Sequence, residues 1–321
     1  MTMSQEPVVI ACAANAAYSI PLAVMLRSAV DNLSPQRELI IWIIEDGLGD
    51  SAKSRIVESL PSGASVHWVA PSRVGFTGLP LWGRMPVSTY DKLTVADCLP
   101  RELNKVIWLD CDMLVLADLS ELWDTPMGDA HLLAVRDALV PNVSSRFGIS
   151  GFADIGLDAS TPYFNAGMMV IDLTKWRASR IAAEALDYLR RHHDRVFFWD
   201  QEALNAVLAR RWRQVDDQWN WSANLGRIAR NGSRSTNGNG HASRIVHFVG
   251  NIKPWIVPES NETNARYFQT LDETSWRGWR PKRTVVRSMV GWYGSSRVRR
   301  FLYPAEQVGM RLVWRFTRRH A

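Results

Sequence analysis

Two carboxylates separated by one residue, Asp110 and Asp112, close the apolar run Val106-Ile107-Trp108-Leu109. A buried strand that ends in acids presents them at its carboxyl edge, where open α/β sheets bind ligands. In extended backbone, residues i and i+2 project to the same side, so both carboxylates can converge on one cation. A hard divalent ion takes oxygen ligands and keeps positions open for diphosphate oxygens. The plain alternative is a solvated turn, because surface acids are common, and the four apolar residues before Asp110 argue against it. His247 is the natural third ligand. It sits in Ile245-Val246-His247-Phe248-Val249-Gly250, at the end of a short strand followed by glycine, and imidazole suits manganese better than magnesium. Taken alone, such a histidine is more often a packed or surface residue.

The segments that must position these groups alternate between strand and helix patterns. Strands are expected at Val8–Ala13, Leu39–Ile44, Ser65–Val69, Lys105–Leu109, Tyr163–Asp172 and Ile245–Val249. Helices are expected at Pro21–Asn32, Ser51–Leu60, Thr89–Cys98, Arg180–His192 and Gln201–Ala209. Pro21 suits a first helical turn, and Asp46-Gly47 is a turn signal. This alternation predicts an α/β domain with a mostly parallel central sheet covered by helices. Pro141–Ser160 reads as a long loop, and Asn231–Ser243, rich in Gly, Ser and Asn, as a mobile one.

The 321 residues, 46% of them hydrophobic, are ample for one large domain and a tail. Three cysteines, Cys12, Cys98 and Cys111, are an odd number without metal-ligand spacing. They make no disulfide framework, and a reducing compartment fits better. The opening Met1–Pro7 is polar, without a basic-then-apolar leader pattern. No window approaches the roughly 18 uncharged apolar residues that span a bilayer. The expected location is therefore the cytoplasm. The net charge of +6 belongs to the tail: from Arg277 to Ala321 there are 12 basic residues and one acid, Glu306, while the rest of the chain is net −5. Composition changes sharply after Trp276, which sets a domain at 1–276 and a basic tail at 277–321. Arg311, Arg315, Arg318 and Arg319 would form one stripe of a helix, with Met310, Leu312, Val313, Trp314 and Phe316 around the rest. Gly291, Gly294 and Pro304 would divide the tail. A basic amphipathic helix of this kind is what an anionic membrane surface binds; packing on the domain is the alternative. No recognised nucleic-acid module surrounds the basic residues, so no nucleic-acid partner is expected.

Several segments, in order, carry a resemblance to glycosyltransferase family eight, the family of glycogenin and the bacterial lipopolysaccharide galactosyl- and glucosyltransferases. Ala13-Ala14-Asn15-Ala16-Ala17-Tyr18 with Pro21-Leu22-Ala23-Val24 resembles the family's uridine-binding opening. Trp108-Leu109-Asp110-Cys111-Asp112, continued by Asp118-Leu119-Ser120-Glu121-Leu122-Trp123, resembles its metal motif. Tyr163-Phe164-Asn165-Ala166-Gly167, with Ile171-Asp172-Leu173-Thr174-Lys175-Trp176, resembles its donor-sugar segment. Asp200-Gln201-Glu202-Ala203-Leu204-Asn205 fits a further element, and His247-Phe248-Val249-Gly250 with Lys253-Pro254-Trp255 resembles its last motif. Their order is far more specific than any one of them.

The resemblance implies a GT-A-type nucleotide-sugar-binding domain and a retaining transfer of glucose or galactose from a UDP-sugar to a glycan acceptor, such as a lipid-linked lipopolysaccharide core. It implies that Asp110, Asp112 and His247 hold manganese or another divalent cation, and that Tyr18 stacks on uracil. Lys253, beside Gly250, would neutralise the departing diphosphate. Asn165, Asp137 and Asp200 would bond sugar hydroxyls, with Gln201 beside the anomeric carbon. A double displacement needs a carboxylate nucleophile there; Gln201 is a poor one, which favours front-face attack, with Asp200 as the fallback nucleophile. Two positions depart from the family. Asn15 stands where Asp is usual and loses charge assistance toward uracil N3–H. Lys92 stands where Arg is usual and loses the bidentate fork. Two rival readings are a nucleotidyltransferase and a non-catalytic nucleotide-sugar or glycan-binding protein; the intact pair of acids argues against the second.

Overall fold

Runs of aliphatic and β-branched residues form the strands of a mixed central sheet. The computed structural model describes the chain apart from residues 1–5, 63, 84, 224–242, 251, 257–261, 283, 285–304 and 315–321. The strands are β1 (Val8–Asn15), β2 (Leu39–Asp46), β3 (Ala64–Val69), β4 (Lys105–Leu109), β5 (Met113–Val115), β6 (Leu132–Arg136), β7 (Phe164–Asp172), β8 (Trp212–Gln214), β9 (Trp221–Ser222) and β10 (Ile245–His247). The main sheet has the order β3-β2-β1-β4-β7-β6-β8, and a small second sheet the order β5-β10-β9. Strands β3, β2, β1 and β4 are mutually parallel, so their carboxyl ends open on one edge. Val8 to Cys12 are all buried, as expected of a strand covered on both faces. Strand β7 runs antiparallel to both β4 and β6.

Helix α1 (Ser19–Asp31) follows β1, and α2 (Asp50–Glu58) joins β2 to β3. The segment expected to be one helix at Thr89–Cys98 is a 3-10 helix over Val87–Thr94 that runs into α3 (Val95–Cys98). It buries Tyr90 to Thr94, and with them Lys92. Short helices α4 (Leu119–Trp123) and α5 (Leu173–Ala178) are each capped by an aspartate, Asp118 and Asp172, whose carboxylate accepts a backbone N–H of the first turn. Helices α6 (Ile181–Arg191) and α7 (Trp199–Leu208) pack on each other, and α7 lies against β7. The other expected strands and helices form within a residue or two of their expected ends. Strands β5, β6, β8 and β9, at two to five residues, were not expected. The segment Pro141–Ser160 is irregular apart from a 3-10 turn at Phe152–Ile155.

Beyond the second sheet, the helix Glu262–Asp272 packs on α1. The Arg55 guanidinium lies 4.2 Å from the Trp276 ring centroid, and Pro281 is buried, so packing on the domain continues past the change in composition. A further helix covers 305–314. Its Trp314 indole donates to the Val196 carbonyl at 2.9 Å and its ring lies 5.7 Å from that of Phe197. Val308, Met310, Leu312 and Val313 are exposed, as is Arg311. Arg315, Phe316, Arg318 and Arg319 lie outside the described residues, as do Gly291, Gly294, Pro304 and, but for Ser243, the Asn231–Ser243 stretch.

Candidate active site

The Asp110/Asp112 pair lies where the chain passes from one sheet to the other. The Asp110 N–H donates to the Gly167 carbonyl at 2.8 Å, which continues the β4–β7 ladder. The Phe248 N–H donates to the Asp112 carbonyl at 2.9 Å, which continues the β5–β10 ladder. Cys111 and Asp112 form a turn between the two. Convergence of the two carboxylates therefore comes from this crossover, and not from one extended strand as the i, i+2 argument had it. The Cys111 thiol donates to the Ala13 carbonyl at 3.1 Å, and the Trp108 indole N–H donates to Asp110 Oδ1 at 2.8 Å.

His247 pairs with Met113 in β10, a register that sets its imidazole beside Asp112. Nε2 lies 3.2 Å from Asp112 Oδ1. One donor atom each from Asp110, Asp112 and His247 lies within 4.8 Å of the others. The three expected ligands thus come together, and two carboxylates with one imidazole are a donor set that fits a divalent ion of the manganese type. Gly167 gives the imidazole room, since a Cβ there would lie 2.9 Å from Nδ1 and closer still to Cε1.

Two buried lysines face these acids. Lys253 Nζ pairs with Asp112 and donates to the Phe248 carbonyl at 2.8 Å. Burial opposes ionisation of Asp112, but the Lys253 ammonium outweighs it and holds its carboxyl well below the usual range. Lys92 Nζ lies 3.1 Å from Asp110 Oδ1 and from Asp200 Oδ2, and donates to the Ala166 carbonyl at 3.2 Å. Burial works against its charge, yet two carboxylates raise its pKa above the ordinary value. Asp200, on the first turn of α7, shares that single ammonium with Asp110. Burial therefore leaves its own pKa raised, although Lys92 and a 3.0 Å hydrogen bond from Thr89 oppose the rise.

Asp137, Asn165 and Gln201 make a polar corner on the other side of Ala166. Asp137 Oδ2 accepts from Asn165 Nδ2 at 2.8 Å and from Gln201 Nε2 at 3.1 Å, while its Oδ1 accepts the N–H groups of Leu139 and Val140, both at 2.8 Å. Gln201 Oε1 accepts the Ala166 N–H at 3.0 Å. A break in the β6–β7 register, from Ala134↔Met169 to Val135↔Asn165, bulges Ala166 to Met168 away from β6; such bulges re-aim side chains near active sites. Asn205, fully buried, clips α7 to β7 by accepting the Phe164 N–H at 2.8 Å and donating to the Phe164 carbonyl at 2.9 Å.

At the end of β1, Asn15 Oδ1 accepts the Ala17 N–H at 3.1 Å and caps the turn Ala16–Tyr18. Tyr18 meets Trp255 edge to face, centroids 6.2 Å apart. Burial, then Asp112, Cys111 and Asp110, raise its pKa, so it remains a neutral phenol beside the acids. Gly250 takes φ +84°, a left-handed turn between His247 and Lys253 that suits glycine. Sequence reasoning missed Asn220, which accepts from His247 Nδ1 at 2.9 Å and donates to Asn165 Oδ1 at 2.9 Å. Its only signal is a polar residue between Trp219 and Trp221.

Comparison with known proteins bears on the family and the fold. The model of the family described as Glycosyl transferase family 8 matches residues 9–257. General stress protein A of Bacillus subtilis is 28% identical over 274 residues, covering 81% of this chain and 91% of that protein. The lipopolysaccharide 1,3-galactosyltransferase of Salmonella typhimurium is 25% identical over 200 residues, covering 62% of this chain and 58% of that one. The solved galactosyltransferase LgtC, in complex with donor and acceptor sugar analogues, superposes with a TM-score of 0.71 at 23% identity, over 90% of this chain and all of that one.

Proposed function

This chain belongs to glycosyl transferase family 8, and from that premise we propose that it is a divalent-metal-dependent, retaining hexosyltransferase that moves glucose or galactose from a UDP-sugar to a glycan acceptor. The convergence of Asp110, Asp112 and His247 within 4.8 Å, beside Lys253, carries the reading. A bound divalent ion would supply positive charge to the diphosphate of the donor. Its identity is proposed to be manganese, on the imidazole in the donor set.

The chain's own residues then divide the work. Tyr18 offers its ring, and Asn15 its amide, to the base at the end of β1. Lys253 lies where it can add charge to the leaving group as it departs. Asp137 and Asn165 offer polar atoms to sugar hydroxyls. Gln201 has both ends engaged, by the Ala166 N–H and by Asp137, so it is held as a dipole near the reacting carbon and lacks the charge of a nucleophile. Both oxygens of Asp200 are engaged, by Thr89 and by Lys92. A double displacement through Asp200 would have to break that buried ion pair. Front-face attack, with the departing diphosphate taking the acceptor proton, breaks none of these bonds.

The acceptor proposed is a lipid-linked saccharide of the lipopolysaccharide-core kind, on the likeness to the galactosyltransferase of Salmonella typhimurium. We place the catalytic domain at 1–276 and a basic tail at 277–321, the tail meeting an anionic membrane surface on its cytoplasmic face. Exposed Val308, Met310, Leu312 and Val313 around Arg311 support that contact, while Trp314 packs inward. Among the described residues no helix is long and apolar enough to cross a membrane. A screen of UDP-sugars with manganese, scoring nucleoside diphosphate release, tests the reading. Release from none of them, or release of pyrophosphate instead, would refute it.

A further inference from the structure

The amide of Asn220 joins the Asp112–His247 corner to the Asp137–Gln201 corner, and groups that can act in only one sense fix the direction of every bond in the link. The Gly167 backbone N–H can only donate, and it lies 3.0 Å from Asn165 Oδ1, so that atom is the oxygen of its amide. Asn165 Nδ2 accordingly faces the Asp137 carboxylate at 2.8 Å. The Asn220 atom that faces Asn165 Oδ1 at 2.9 Å must then be its N–H donor. Its oxygen therefore faces His247 Nδ1 at 2.9 Å, and Nδ1 carries a proton. In the neutral ring, Nε2 is left with a lone pair turned toward Asp112. Asn220 and His247 are both buried, so water replaces neither partner at low cost.

We infer that Asn220 is a positioning residue that fixes the tautomer and plane of the His247 ring and ties both to Asn165 and Asp137, coupling cation capture to placement of the donor sugar. The inference rests on the proposed reading of His247 as a cation ligand and of Asp137, Asn165 and Gln201 as facing the sugar. Partners of this kind, one shell out from a metal ligand, typically change metal affinity by about 10- to 100-fold when removed. The two halves of the link separate chemically. Asn220→Ala loses both. Asn220→Asp keeps an oxygen toward His247 but has no N–H for Asn165, so it preserves the first half and breaks the second.

The test is binding of Mn2+ alone to the full chain, followed by the paramagnetic resonance of free Mn2+, together with donor KM and kcat for UDP-sugar hydrolysis. Wild type is compared with His247→Ala, Asn220→Ala, Asn220→Asp and Asn165→Ala. Asn220→Ala is expected to weaken Mn2+ binding about tenfold or more. Asn220→Asp should bind Mn2+ within about threefold of wild type yet hydrolyse donor more slowly or with raised KM. Asn165→Ala, which touches none of the three ligands and breaks the same second half, should likewise bind Mn2+ within about threefold of wild type, and the Asn165→Ala/Asn220→Ala double variant should bind no more weakly than Asn220→Ala alone. Wild-type affinity in Asn220→Ala, with affinity lost in His247→Ala, would overturn the role of Asn220 and leave the ligand reading standing. Unchanged affinity in His247→Ala would instead overturn the ligand reading and the inference with it. Thermal unfolding monitors folding. If Asn220→Ala does not fold, the near-isosteric Asn220→Asp decides: loss of Mn2+ binding to the level of His247→Ala overturns the inference.

Discussion

Gly167→Ala puts one methyl group against the candidate metal centre. The added Cβ would lie 2.9 Å from His247 Nδ1 and 2.9 Å from Met113 Cε, and closer still to His247 Cε1. Non-bonded heavy atoms settle at about 3.5–4.0 Å, so the imidazole must retreat by roughly 1 Å. Metal–ligand distances tolerate only about 0.2 Å. The ring cannot retreat freely, because Nδ1 is bonded to Asn220 and the residue is buried. The expected cost is a loss of Mn2+ affinity of about 10- to 100-fold, or roughly 1.4–2.7 kcal/mol, with overpacking taking about 1–3 kcal/mol from stability. Gly156→Ala is the control. It imposes backbone strain at φ +72° with no atom within 4 Å of the new Cβ, so it should lower the melting temperature and leave metal affinity alone. Calorimetric Mn2+ titration and thermal unfolding of both variants read the result. Unchanged Mn2+ affinity in Gly167→Ala, or equal losses in the two variants, would refute the reasoning.

Four further outcomes are expected. Asp112→Asn should cut turnover by roughly a hundredfold or more by removing the carboxylate shared by Lys253 and His247; full activity of the wild type in excess chelator would contradict the metal requirement behind it. Burial pushes the Glu202 carboxyl from its ordinary 4.5 up to about 7, so the native state holds a proton that the unfolded chain lacks and stability falls, by roughly 3 kcal/mol, as pH rises through that window. Glu202→Gln should flatten the stability–pH curve there, read by urea unfolding at several pH values, and a slope like that of wild type would count against the buried acid. Asn15→Asp should keep the cap on the turn Ala16–Tyr18 and tighten donor binding by up to roughly 1 kcal/mol; weaker UDP-sugar binding in a calorimetric titration would oppose the base-contact reading. Removal of residues after Pro304 should abolish sedimentation with anionic vesicles at low salt while donor hydrolysis persists, and a full-length chain that stays in the supernatant would end the membrane proposal.

Legibility in the sequence followed the physics of each signal. Strands β1 and β4 were readable because strands buried on both faces are continuous apolar runs, and β2 because its run Leu39–Ile44 is rich in β-branched residues, although only part of it is fully buried. The three-residue β5 and β8 were not, since pairing across the sheet defines them and they are too short to show a period; β6 carries a legible apolar run, Leu132–Val135, that sequence reasoning passed over. The three proposed cation ligands were legible because the acids close a buried apolar run and His247 lies in one of several motifs that follow in the family's order. The reason for their convergence was not: it lies in the passage from one sheet to another, a property of pairing between β5 and β10. Asn220 and Thr89 were invisible because a hydrogen-bond partner needs no spacing relative to what it holds. The tail stripe was legible as a helical pattern, but docking of Trp314 on Val196 and Phe197 depends on a surface that no window of the tail encodes.

The two departures from the family pattern have different structural consequences. At position 15 the amide oxygen caps the following turn, a task that Asp and Asn perform about equally, so the substitution leaves the fold intact and acts on whatever meets the end of β1. At position 92 the local geometry itself suits the change. Three acceptors surround Nζ, on Asp110, Asp200 and Ala166, and they match the three N–H bonds of an ammonium, whereas the planar fork of Arg matches a bidentate anion. An ammonium so engaged has no N–H to spare for a diphosphate, and what it offers an approaching anion is the field of its charge in a poorly solvated site. Lys92 therefore works first as the tie between Asp110 and α7, which holds Gln201 one residue away from Asp200. Lys92→Arg should on this reasoning disturb the placement of Asp110 and Gln201 together, so that Mn2+ affinity and the rate of donor hydrolysis fall in the same variant; improvement in both would show that the family's usual guanidinium fits this pocket after all.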